Sequence, residues 1–319
     1  MEDKTQHKKH HILYALLLMV GTFGILGLAF GAQPNFVNGS QIIEIPNQTQ
    51  PQSLFNNLFV LKQEEEVEAR YVLQELKRLG DINAQSFVVG DLDTGEIIFE
   101  RKPHTQYPIA SITKYMTAFT AAEKLNPYEL ATVTAEKLKV QGNRGRFKVG
   151  ETLSIRDLIY PLLLVSSNDA GEIIAEQRNR DAFIQAMNEL SQEHGLYNTN
   201  FEDPTGLSRN NISTGRDLFR MMRLVRNTHP EIVDISRLKS KSDENRTWYN
   251  INKAASYSEF QGGKTGYTNA AQQTSIGYFQ IKLANDQVKN LGIVILRSPT
   301  RQQDTRNILE YIKRYVAYL

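Results

Sequence analysis

The apolar side chains divide the chain into unlike parts. Residues 12–30 form an uncharged, mostly apolar run preceded by Lys4, Lys8 and Lys9, long enough to cross a bilayer as a helix with its cationic flank in the cytoplasm. From Gln33 to about Gln63 the chain turns to Asn, Gln, Pro and Ser, interrupted by Leu54, Phe55, Leu58, Phe59 and Leu61, a composition that suits a solvated linker. Glu64-Glu65-Glu66 then opens a predicted helix carrying Val67, Tyr71, Leu76 and Leu79 at helical spacing. Apolar and β-branched runs at 86–91 and 96–101 bracket Asp93-Thr94-Gly95, and runs at 274–283 and 291–296 bracket Ala284-Asn285-Asp286, so each set predicts a hairpin. Helical periodicity begins after Pro108 and recurs over 155–164, 170–177, 181–194, 214–226 and from about 301 to 318, with Ser213-Thr214 as a cap. Strands at both ends of the folded part, enclosing helices, predict an α+β domain. The expected organisation is therefore a short N-terminus (1–11), an apolar segment (12–30), a polar linker (31–66) and one folded domain (67–319).

Composition removes several classes of function. With 37 Lys and Arg against 35 Asp and Glu, the net charge of +2 is spread along the chain and gives no electrostatic footprint for nucleic acid. There is no cysteine, which excludes disulfides, thiolate metal sites and a cysteine nucleophile. His7, His10 and His11 crowd the N-terminus while His104, His194 and His229 stand apart, so no metal site and no cofactor are expected. The apolar segment has a second reading as a cleaved signal, since Ala29-Phe30-Gly31-Ala32 offers small residues for a peptidase. Its length exceeds a usual signal core of about 7 to 15 residues, which favours an uncleaved anchor. Either way, everything after residue 31 is exported.

Chemistry concentrates at three places. Pro108 to Met116 puts Ser111 at a helix start with Lys114 three residues on, on the same face. A serine hydroxyl needs a base to take its proton, and lysine can serve only when neutral, which burial and nearby positive charge promote. Ser-x-x-Lys alone proves little, because Ser236-Arg237-Leu238-Lys239 repeats it in a charge-rich stretch read as surface. Two further elements, in a fixed order, distinguish Ser111: Ser166-Ser167-Asn168 after the apolar helix, then Lys264-Thr265-Gly266 before the second hairpin. Ser208-Arg209-Asn210 imitates the first of these but lies in a loop after Pro204-Thr205-Gly206 and reads as surface capping. Gly262-Gly263-Lys264-Thr265 lacks the upstream glycine of a phosphate-binding loop.

Ser-x-x-Lys, Ser-x-Asn and Lys-Thr-Gly in this order resemble the penicillin-binding proteins and serine β-lactamases. Tyr107 to Lys114, Leu162 to Gly171, Phe201 to Leu207 and Gly263 to Thr268 narrow the resemblance to the low-molecular-mass D-alanyl-D-alanine carboxypeptidases over roughly residues 84–315. It implies the penicillin-binding protein fold, an antiparallel sheet packed with a helical subdomain, and a catalytic role for the domain at 67–319. It further implies that Ser111 attacks the carbonyl between two D-alanines of a peptidoglycan stem peptide, that Lys114 accepts its proton, and that β-lactams inhibit covalently. Ser166 would pass a proton to the leaving amine, Asn168 would orient Lys114 and bind the substrate backbone, and Lys264 would keep Lys114 neutral by like charge. Thr265 and Thr268 would hold the terminal carboxylate, and Gly266 would let the peptide lie along the strand. The N–H groups of Ser111 and Tyr267 would form an oxyanion hole, with Arg306, or next Arg297, as a further carboxylate ligand.

Gln272 departs from the pattern, since the family usually has a glycine there. The apolar segment would hold the enzyme to the membrane through residues 12–30 and so place its chemistry outside the cytoplasm. Hydrolysis of crosslinks by an endopeptidase, or a non-catalytic penicillin-binding sensor, are the alternatives. A penicillinase is disfavoured because no Glu-x-x-x-Asn loop stands between Asn168 and Lys264.

Overall fold

The computed structural model describes residues 70–75 and 79–319. The apolar segment at 12–30, the linker at 31–66 and Leu76 of the first predicted helix lie outside the described residues. Among the described residues no helix is long and apolar enough to cross a membrane.

The longer strands and their neighbours are β1 (Tyr71–Leu73), β2 (Ser86–Asp91), β3 (Ile97–Arg101), β4 (Phe260–Thr268), β5 (Gln272–Lys282), β6 (Val288–Ser298) and β7 (Val316–Tyr318). Five of them make one antiparallel sheet in the order β4-β5-β6-β2-β3, which leaves β4 at an edge. Among the described residues seven α-helices accompany it: α1 (Thr113–Lys124), α2 (Ile155–Leu164), α3 (Asn168–Glu176), α4 (Arg180–Glu193), α5 (Gly215–Thr228), α6 (Pro230–Arg237) and α7 (Arg301–Tyr315). Both predicted hairpins are present, and the fold is α+β, with α1 to α6 between β3 and β4 in the chain and α7 after the sheet's last strand. Helix α6 escapes periodicity, being only two turns long, although Pro230 in its first turn is a starting signal.

Two cores meet at the sheet because successive side chains of a strand point to opposite faces. Val88, Val294, Ile276 and Tyr278 face the helices α1 to α6 in one apolar cluster. Phe87, Val89, Ile293, Ile295 and Phe279 face α7 through Ile308, Leu309 and Ile312 in the other. Each such aliphatic side chain taken fully out of water contributes about 2 kcal/mol, so the alternation is what holds the strand register.

The ends of the domain correct two expectations. Tyr71 belongs to a strand, not a helix, and the C-terminal helix stops at Tyr315. Both changes have one cause: β1 and β7 pair antiparallel, Tyr71 with Tyr318, Val72 with Ala317 and Leu73 with Val316. The Tyr71 ring meets that of Tyr318 edge-on at 5.0 Å, and its hydroxyl donates to Asp91 Oδ2 at 2.6 Å. Pairing between β-formers distant in sequence overrides the helical spacing.

Candidate active site

Ser111 stands in a 3-10 turn, Ala110–Ile112, that leads into α1. Three backbone attachments fix this turn. Thr274 Oγ1 on β5 donates to Ile109 O at 2.9 Å, Ile109 N–H donates to Asn211 O at 2.9 Å, and Gly266 on β4 lies against Ser111 N. A Cβ added at Gly266 would fall 2.8 Å from Ser111 N, 2.9 Å from Ile109 O and 2.6 Å from Thr274 Oγ1. The glycine therefore serves first to let the edge strand approach the nucleophile's own turn, a closer constraint than room for a peptide.

The helical spacing brings Lys114 Nζ to 3.0 Å from Ser111 Oγ. Lys114 is completely buried, and its second partner is Thr205 O at 2.5 Å. Burial lowers its pKa to about 7, opposed by the charge of Asp203 and assisted by that of Arg144. A neutral amine beside a hydroxyl is the geometry of a general base with its nucleophile.

The Thr205 carbonyl comes from the loop of Phe201 to Leu207, to which the three motifs assign no role. Asp203 is its hub: Oδ1 accepts from Thr205 N, Thr205 Oγ1 and Gly206 N, each at 2.7 Å, and Oδ2 accepts from Ser208 N at 2.6 Å. Burial pushes this carboxyl up, but the hydrogen bonds from Ser208, Thr205 and Gly206 outweigh it and hold the pKa below the usual range. Pro204 O accepts from Thr117 Oγ1 at 2.6 Å, and Asn211 Nδ2 donates to Thr113 Oγ1 at 3.1 Å, which staples the loop to α1. Asp-Pro-Thr-Gly is a turn signature and is the signal that could have revealed it. The imitation motif nearby behaves as surface capping: Asn210 N donates to Ser208 Oγ, and the Ser208 hydroxyl donates to Glu202.

Helix α2 ends at Leu164, and two residues on Ser166 adopts a left-handed backbone conformation with φ of 57°, a strained state for a residue with a side chain. This turn lets Ser166 Oγ accept from Lys264 Nζ at 2.9 Å. Lys264 is buried and also donates to Thr265 O at 2.9 Å. Burial pushes its pKa well down, and the charges of Lys114, Arg301 and Arg144 push it further. Like charge thus acts on Lys264 as well as on Lys114, and the depression of Lys114 is due first to burial.

Asn168 starts α3 and is buried, but it does not bond Lys114. Its Nδ2 donates to Gln141 O at 2.5 Å and its N–H to Gly142 O at 3.0 Å, while Oδ1 has no hydrogen-bond partner among the described residues. Thr265 is half-buried, Tyr267 is largely exposed, and Thr268 Oγ1 accepts from Ala271 N at 3.1 Å.

The arginine expectation needs correction. Arg306 lies on the exposed face of α7, whose buried residues include Asp304, Thr305 and Ile308. Arg297 donates to Ala270 O at 3.3 Å. The guanidinium that reaches β4 is that of Arg301, which donates to Gly266 O at 2.8 Å and Thr274 O at 2.9 Å. At 100° per residue, Arg306 is turned about 140° from Arg301, so both cannot face the sheet.

Ser236 also differs from expectation. It is buried on α6, donates to Val233 O at 2.7 Å and accepts from Gly263 N at 2.8 Å, whereas Lys239 is exposed. No group of three or more His, Asp or Glu among the described residues is arranged to hold a metal.

The profile of a family described as D-alanyl-D-alanine carboxypeptidase matches residues 72–295. A D-alanyl-D-alanine endopeptidase of Pseudomonas aeruginosa is 31% identical over 212 residues, covering 60% of this chain and 65% of that protein. A D-alanyl-D-alanine carboxypeptidase of Mycobacterium tuberculosis is 29% identical over 203 residues, covering 61% and 69%. The chain thus spans just under two thirds of the first of these relatives. The crystal structure of a D-alanyl-D-alanine carboxypeptidase from Mycobacterium tuberculosis superposes with a TM-score of 0.69 at 26% identity, covering 75% of this chain and 94% of that one.

Proposed function

The chain belongs to the D-alanyl-D-alanine carboxypeptidase family, and from that membership we propose that it is a serine-type D-alanyl-D-alanine carboxypeptidase acting on peptidoglycan stem peptides. The observation that carries the reading is the Ser111–Lys114 contact at 3.0 Å, with the lysine fully buried. Ser111 Oγ attacks the carbonyl carbon between two D-alanines while its proton passes to Lys114 Nζ. Ser166, bonded to Lys264, relays a proton to the leaving amine, and the terminal D-alanine departs. Water then opens the acyl-enzyme and Ser111 regains its proton. The N–H groups of Ser111 and Tyr267 stabilise the oxyanion, and Asn168 Oδ1 accepts from the acyl-side backbone. Lys264, Thr265, Thr268 and, in place of Arg306, Arg301 receive the terminal carboxylate. That carboxylate favours a proton on Lys264, and the repulsion then favours neutral Lys114. β-Lactams, which present an acyl group and a carboxylate, acylate the same serine.

The apolar segment at 12–30 holds the enzyme to the membrane, with the domain outside the cytoplasm. Release of D-alanine from a pentapeptide by the wild type, and its loss in Ser111→Ala together with loss of labelling by a fluorescent penicillin, is the expected result. Penicillin labelling of Ser111 without D-alanine release would replace the peptidase with a sensor. Relatives named endopeptidases at 31% and 32% identity support a second reading, cleavage of crosslinks, in which the same bond is broken and only the group beyond it differs. Product analysis of digested crosslinked muropeptides separates the two.

A further inference from the structure

Resting on this peptidase reading, we infer that Arg144 is a specificity-determining residue that receives a carboxylate carried by the substrate on the acyl side of the scissile bond. Arg144 lies in a loop that is tied down at every neighbouring position. Gln141 O and Gly142 O accept from Asn168, and Asn143 Nδ2 donates to Leu138 O at 2.8 Å. Gly145 N–H bonds the Asp169 carboxylate at 3.1 and 3.2 Å, and Gly145 O accepts from Trp248 Nε1 at 2.9 Å. A fixed backbone thus presents an exposed guanidinium beside the active site, and its charge is felt by both Lys114 and Lys264.

Arg144 makes no ion pair among the described residues, and the acidic groups nearest the site are already engaged. Asp203 is saturated by its own loop, Asp169 by Ser167 and Gly145, and Glu172 by Arg180 at 2.7 Å. Among the described residues nothing gives Arg144 an anion, which leaves its exposed guanidinium free to receive one brought by the ligand. The terminal carboxylate belongs to the Arg301 side, since Arg301 is bonded to Gly266 of β4. Arg144 instead shares its loop with the residues that hold Asn168, whose Oδ1 is buried and unpartnered. Its complement is a second carboxylate, on the side chain of the residue preceding the two D-alanines.

The full-length protein in detergent is given three peptides that differ only at that residue, whose side chain ends in a carboxylate, a carboxamide or an ammonium group. The wild type is expected to prefer the carboxylate over the carboxamide about tenfold in kcat/KM, a preference that weakens with added salt. Arg144→Gln brings the ratio to about one, whereas Arg144→Lys keeps a preference and the wild-type pH dependence. A ratio unchanged in Arg144→Gln, or an equal fall on all three peptides, overturns the inference and leaves Arg144 with an effect on Lys114 alone. Binding is read independently in Ser111→Ala through the fluorescence of Trp248, the chain's single tryptophan, which is bonded to the Arg144 loop. If no peptide is turned over by the wild type but Ser111→Ala binds the carboxylate peptide preferentially, and the double variant with Arg144→Gln does not, the peptidase reading fails and the anion site stands. Equal binding of carboxylate and carboxamide peptides in Ser111→Ala overturns the anion site whatever the turnover.

Discussion

At the residue scale the chemistry depends on a lysine that gives up its proton near neutrality. Burial lowers the Lys114 pKa to about 7, and only the neutral amine can accept the Ser111 proton. Below that pKa the base is occupied by a proton, and above it the base is free. The second-order rate of acylation by a penicillin is therefore expected to rise with pH, about tenfold per unit below pH 7, and to level off above it. Stopped-flow acylation across pH 5 to 9 checks this, and a flat profile would remove Lys114 as the base. Ser111 and Lys114 were legible in the sequence because an i,i+3 pair on a helix must share a face and because Ser166-Ser167-Asn168 and Lys264-Thr265-Gly266 set this pair apart from Ser236 and Lys239. Their supporting carbonyl, Thr205 O, was not, since a main-chain acceptor supplied from 91 residues away leaves no side-chain signature. The same holds for Arg301 as against Arg306, because composition shows that an arginine is present but not which way its helix is turned.

At the element scale, strand alternation and helix periodicity carried the two hairpins and most of the helices but missed the edge strand β4 and helix α6, and two strained residues lie at junctions. Gln272 occupies one of them. It begins β5 immediately after the turn from β4, with φ of 55°, a conformation that costs a residue with a Cβ about 1 to 2 kcal/mol. The departure from glycine at this position is thus borne as backbone strain, not as an altered register, since Thr268 still pairs with Gln272. Gln272→Gly relieves the strain but frees the unfolded chain, which takes back about 0.5 to 1 kcal/mol. A net gain of roughly 0.5 to 1 kcal/mol is expected, measurable as a raised urea midpoint with unchanged m-value. A lowered midpoint would mean that the glutamine side chain contributes more than its backbone costs. Ser166 holds the same kind of conformation just after α2, but there the strained residue carries a hydroxyl bonded to Lys264, so glycine would relieve strain and remove chemistry together.

At the scale of the whole molecule, the domain is closed by a contact that no local pattern announces. Strands β1 and β7 are three residues each and pair across nearly the full length of the folded part. Taken locally, Tyr71 fits a helix and Val316 to Tyr318 fit the end of another, and only their meeting makes both extended. The clasp carries more than its ladder: Gln74 N–H bonds Tyr315 O at 2.8 Å, Leu319 N–H bonds Arg70 O at 2.8 Å, and Tyr71 reaches Asp91 on β2. It also covers Val316 and Ala317, which are buried. Loss of about three net hydrogen bonds at about 1 kcal/mol each is partly offset by freeing the ordered segment, so removing β1 is expected to cost about 2 kcal/mol. For a domain of this size each kcal/mol moves Tm by about 2 to 4 °C, so a chain starting at Leu79 should melt about 4 to 8 °C below one starting at Arg70. None of the clasp residues contacts Ser111, Lys114 or Lys264, so both chains should be acylated by penicillin at the same rate at about 25 °C. Equal melting temperatures would show the clasp to be energetically idle, and a fall in acylation rate would show that the closure reaches the active site.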